Sequence, residues 1–143
     1  MGDAMTMIGP PYLRLDLRLH GSEVSRAREA TARALTDLGH LELVGDGQTV
    51  VSELVTNALH QNSRDGSPAR HVPFVLYEND GRPLVEAWDA ILGEVPRIKC
   101  ATEEDLGGRG LLIVNDLAAR WGYRHATLWP NGPMWKCVWA LLK

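Results

Sequence analysis

The 143-residue length suits one domain, able to bury roughly 70% of the surface its unfolded chain would expose. Lys and Arg number 15 against 18 Asp and Glu, a formal net charge of −3 without a basic block, which argues against direct nucleic-acid binding. Apolar runs fall short of the ~18 residues of a membrane span. Cys100 and Cys137 lie outside any CxxC pattern, so a zinc site or redox dithiol is not expected and a cytoplasmic setting fits.

Residues 1–11 carry no signal-peptide pattern and read as a flexible lead, although Gly2 and Thr6 match a loose myristoylation pattern. Tyr12–Leu19 alternates Leu with Arg and Asp, the pattern of a strand with one buried face. Ser22 is placed to cap a helix over Val24–Leu38 that Gly39 ends. After a short connection, a second helix starts near Asp46 and runs to about Asn62. Val50, Val51, Leu54, Val55, Ala58 and Leu59 form its apolar side. The opposite side holds Thr49, Ser52, Glu53, Thr56, Asn57, His60 and Gln61, with Glu53 the only fixed charge. A solvated face usually carries more charge, so this one is expected to be partly covered. Glu53 and Asn57 stand one turn apart and point the same way. Taken alone, the pair reads as a polar rim.

Residues 63–70 are loop by composition. Val72–Glu78 and Pro83–Asp89 form a hairpin around Asp80-Gly81, the strongest turn signal in the chain. Residues 90–106 lack periodicity and carry an acidic cluster, which points to a lid. Gly107, Gly108 and Gly110 then open a helix containing Leu111, Leu112, Val114, Leu117 and Ala118. Glycines at a helix start let backbone N–H groups converge on an anion, and Arg109 would add charge. Trp121–Leu128 and Trp135–Leu142 are the last strands, joined at Asn131-Gly132-Pro133. Five strands and three helices in this order predict an α/β two-layer sandwich, its sheet mixed but mostly antiparallel, with helices on one face. Residues 12–143 form the one expected domain. The five Trp are either strand core or interface anchors.

Asp89 ends an apolar strand and needs a hydrogen-bonding partner; a purine amino group would serve, as would a local turn. The phosphate loop GxxxxGK[ST] and the dinucleotide fingerprint are missing. In this order, the strings VVSELVTNAL, VEAWDAILG, GGRGLLIVNDLAARWG and KCVWALL resemble the GHKL ATPases (gyrase, chaperone and histidine-kinase ATP-binding domains, of Bergerat-type fold). Within that group the chain is similar to stand-alone actinobacterial ATP-binding proteins of the anti-sigma-factor serine/threonine kinase type, over about Tyr12 to Leu142. The resemblance implies ATP and Mg²⁺ as ligands. Asn57 would hold the metal and Glu53 would act as base. Asp89 would accept from adenine, with Gly93 in its loop, and Gly107, Gly108, Arg109, Gly110 and Leu111 would wrap the phosphates.

Two positions depart from the family pattern. The adenine loop DxGxG has Ile91 in place of its first Gly, and the His expected four residues after Asn57 is Gln61, with His60 one residue early. The first reading is therefore a kinase of an anti-sigma antagonist that also engages a sigma factor, with homodimerisation a family-level expectation. The second is a non-catalytic module that regulates a partner through a nucleotide-type pocket. A detached sensor-kinase domain is the third.

Overall fold

The computed structural model describes residues 9–96 and 106–143, with side chains of the second stretch from Gly110 onward. The chain runs β1 (Leu13–Arg18), α1 (Glu23–Asp37), a 3-10 turn (Leu41–Leu43), α2 (Val44–Asn62), β2 (His71–Asn79), β3 (Arg82–Asp89), α3 (Leu106–Leu117), β4 (Ala118–Thr127) and β5 (Met134–Leu142). The five strands lie in the order β1-β2-β3-β5-β4. Every ladder is antiparallel, so the expected mixed sheet is corrected to an antiparallel one. No parallel pair arises because hairpins join β2 to β3 and β4 to β5, and α3 returns the chain to the far edge. The architecture is a two-layer α/β sandwich.

The core lies between helices and sheet. Leu17 of β1, Val72, Phe74 and Leu76 of β2, Val85 and Ala87 of β3, and Val138, Ala140 and Leu142 of β5 meet Val50, Val51, Leu54, Val55 and Ala58 of α2. The apolar stripe read from α2 is thus the one it buries, with Leu59 packed at its margin. At Gly47 the helices α1 and α2 come close enough that a Cβ would sit 2.6 Å from Leu35 Cδ1. Among the described residues no helix is long and apolar enough to cross a membrane.

Local chemistry sets most boundaries. Gly39, at φ 86°, closes α1 in a Schellman motif: its N–H donates to Thr36 O at 3.1 Å, and that of His40 donates to Leu35 O at 2.7 Å. Asp80 and Gly81 both take positive φ, 52° and 78°, as a type I′ hairpin turn requires. Three expectations are corrected. Ser22 makes no side-chain cap; its hydroxyl lies 2.8 Å from His20 Nδ1, and the Glu23 carboxylate instead accepts the Arg18 backbone N–H at 2.8 Å. Asp46 sits inside the first turn of α2, because the 3-10 turn leads directly into the helix at Val44. Ala118 opens β4 rather than extending α3, and it pairs with Leu142 across a bulge. The expected lid falls largely on residues 97–105, outside the described residues, as do residues 1–8 of the expected lead.

Candidate functional site

Helix α2 is the element from which the site is built. Glu53 and Asn57 are both half-buried on it, one turn apart. Part of its polar face is covered by α1: Arg28 Nη1 donates to Gln48 O and to the Ser52 hydroxyl, and Gln48 Nε2 donates back to Arg28 O. The uncharged character of that face therefore has one cause in helix packing. Glu53 and Asn57 lie beyond these contacts, toward α3.

There Glu53 meets the N-terminal half of α3 at Gly110. A Cβ on Gly110 would stand 2.6 Å from Glu53 Oε1 and 3.5 Å from Glu53 Cβ. A side chain at Gly110 would have to displace the Glu53 carboxylate, which is set against this part of the helix. Leu111 follows and is buried, 4% exposed. Gly107, Gly108 and Arg109 belong to the first turn of that helix; the Arg109 side chain lies outside what the structure describes.

The C-terminal end of α2 organises the third element. Asn62 is 2% exposed. Its Nδ2 donates to His71 O at 3.0 Å and Trp88 O at 3.1 Å, and its Oδ1 accepts the Ala90 N–H at 2.9 Å. One side chain thereby ties the helix to the start of β2 and the end of β3. Asp89 lies between two of these backbone contacts and alternates with Val85 and Ala87, on the helix-facing side of the sheet.

Asp89 is 2% exposed. Its Oδ1 accepts the Ile91 N–H at 2.9 Å and lies 3.5 Å from Lys136 Nζ, directly across the β3–β5 ladder. Lys136 is equally buried and donates to Glu94 O at 2.5 Å. Burial pushes the Asp89 carboxyl above its usual range, against the opposing pull of the Lys136 ammonium. An acceptor and a cationic donor thus stand side by side where an adenine acceptor was expected. Gly93 has no heavy atom of the described residues within 4 Å of a Cβ placed on it.

Glu53 and Gly110 are in contact, and Asp89 is fastened to the same helix through Asn62. Gly93 makes no such approach. His60 is exposed, and Gln61 accepts from Arg64 Nη1 at 3.0 Å. Sequence reasoning passed over Asn62 and Lys136. Asn62 carries a signal, since it continues the buried 51, 55, 58 stripe of α2 and so had to be a satisfied polar group. Lys136 carries a weaker one, a lone cation inside the apolar strand MWKCVWALL; its partner is visible only once β5 lies beside β3. No family model and no curated protein matches the chain.

Proposed function

We propose that the chain is an ATP-binding regulatory protein of the GHKL type, acting as a serine/threonine protein kinase on an anti-sigma antagonist in the cytoplasm. The observation that carries this reading is the Glu53–Gly110 contact, a carboxylate held against the glycine-rich N-terminal half of a helix. A carboxylate one turn from a carboxamide offers the hard oxygen donors that suit Mg²⁺. The Glu53 and Asn57 side chains, half-buried rather than tied into the core, fit that use. Asn57 would hold the metal, whose chemistry is to neutralise charge on the transferred phosphoryl group.

The protein's own residues do the rest by position. Glu53 accepts the proton of the attacking hydroxyl or orients it. The first turn of α3, with Gly107, Gly108 and Arg109, would present its N–H groups and positive dipole end to phosphate, and Gly110 and Leu111 follow it in the next turn. Asp89, fixed by Asn62 and Ile91, accepts from the exocyclic amine of adenine, with Gly93 in the loop beyond. A sigma factor or its antagonist is the partner class; a second copy of the chain is a further one.

The Lys136 ammonium favours a second reading, a non-catalytic module. It already occupies the neighbourhood of Asp89 Oδ1, so an incoming amine must share that oxygen or displace the cation. Calorimetric titration of ATP with and without Mg²⁺ separates the readings. The kinase requires saturable, Mg²⁺-dependent binding that Asn57→Ala weakens, and phosphoryl transfer that Glu53→Ala abolishes. Binding with transfer unaffected by Glu53→Ala removes Glu53 as base. Absence of ATP binding ends the kinase reading and leaves the module with an empty pocket.

A further inference from the structure

The face of the sheet turned away from the helices has its own polar centre, remote from Glu53 and Asn57. Glu86 of β3 is fully buried there. Its Oε1 accepts the Trp88 indole N–H at 3.1 Å and its Oε2 accepts from Arg124 Nη2 at 3.0 Å. Arg124 Nη1 also donates to Cys137 Sγ at 3.3 Å, and the guanidinium lies 5.5 Å from the centre of the Trp88 ring. An arginine held at these points is fixed in orientation before any ligand arrives. Two of its five N–H donors are engaged by these contacts.

Beside this centre lies an open cavity of about 320 Å³, lined among others by Arg14, Tyr77, Trp88, Arg124, Thr127 and Leu128. Among the described residues no carboxylate lines it. The Tyr77 and Thr127 hydroxyls make no side-chain hydrogen bond among the described residues. The charges add up simply. Glu86 offsets Arg124, which leaves Arg14, whose pairing with Asp16 at 3.3 Å is half-exposed and therefore weak. The cavity thus offers one net positive charge, a fixed guanidinium and an apolar wall. Its volume stands at the small end for ligand pockets.

We propose that this cavity binds a small aromatic monocarboxylate, its ring against the Trp88–Leu128 wall and its carboxylate on Arg14 and the free N–H groups of Arg124. A monoanion matches the single uncompensated charge; a phosphate dianion does not.

Benzoate titrated into the full chain, followed by calorimetry and by amide and indole NMR shifts, tests this. Saturable binding is expected, with shifts centred on the Trp88 indole and Thr127. The neutral isostere benzamide is expected to bind about tenfold or more weakly, for loss of the charge-assisted contact. Arg14→Gln, a surface change, is expected to cost benzoate about tenfold in affinity while leaving benzamide unaffected. Ala126→Trp, which fills the cavity, abolishes binding; should it fail to fold by circular dichroism, Arg14→Gln and the benzamide comparison decide alone. Non-saturable binding, equal affinity for benzoate and benzamide, an unaltered Arg14→Gln, or shifts centred elsewhere each overturn the proposal.

Discussion

The two faces of the sheet solve burial in opposite ways. Toward the helices, alternate residues of β1, β2, β3 and β5 meet an apolar layer; Glu53 and Asn57 stand half-buried on that side, and its buried polar groups include Asn62 and the Asp89–Lys136 pair. On the other face no helix covers the strands among the described residues, yet Glu86 and Cys137 are fully buried and Val75 and Trp88 nearly so. Trp88, Trp135 and Cys137, with Tyr77, Ala126, Leu128 and Trp139 packed on them, form a side-chain roof. Gly122 serves that roof, because a Cβ there would stand 2.8 Å from the Trp139 ring. An antiparallel sheet usually leaves its second face to water. Here bulky side chains do what a helix layer does elsewhere, and they enclose the Glu86–Arg124 ion pair.

The largest expected effect breaks that contrast. Arg124→Met leaves the Glu86 carboxylate buried without its cation and is expected to cost about 3–5 kcal/mol of stability in urea unfolding. Adding Glu86→Leu should recover most of the loss, because an apolar pair needs no compensation. On the helix side, Leu54→Ala removes a side chain 1% exposed and should cost roughly 2–5 kcal/mol with no second-site rescue by charge. Asn62→Ala strands His71 O, Trp88 O and the Ala90 N–H. It is expected to cost about 1–3 kcal/mol and, under the proposed function, to weaken ATP binding by releasing Asp89.

Gly110→Ala separates stability from function. Its Cβ meets the free end of the Glu53 side chain, which can rotate away, so stability should change by less than about 1 kcal/mol. Under the proposed function, phosphoryl transfer should fall by on the order of 10²-fold, while ATP still binds. The smallest effect is in pH. The Glu23 carboxyl is held below its usual range, chiefly by the Arg18 backbone N–H and against the pull of burial. Its contribution is therefore complete above the ordinary value of 4.5 and is lost as pH falls through the lower folded value. Asp89 runs the other way: its raised value favours the folded state as pH falls, yet the protonated acid is a poorer acceptor for adenine. Acid unfolding of Glu23→Gln should show a shallower loss than the parent, and, under the proposed function, ATP affinity should drop before unfolding begins.

Much of the architecture was legible in the amino-acid order because local physics decides it. Period-2 alternation placed β1, the apolar stripe placed α2, and Asp80-Gly81 and Gly39 marked a hairpin turn and a helix end through their positive φ. Glu53 and Asn57 could be paired from helical spacing alone. Ser22 and Asp46 misled because a good capping residue is only an offer: His20 and the Arg18 N–H took the first site, and the 3-10 turn pre-empted the second. What only the tertiary structure decided are the contacts made across elements distant in sequence. Gly110 sits on Glu53, Asn62 fastens Ala90, Lys136 faces Asp89, and Arg124 neutralises Glu86. Each depends on strand order and on the crossing of helices, which no window of sequence contains. A polar residue at an inward position shows that a partner must exist; only the fold says which one.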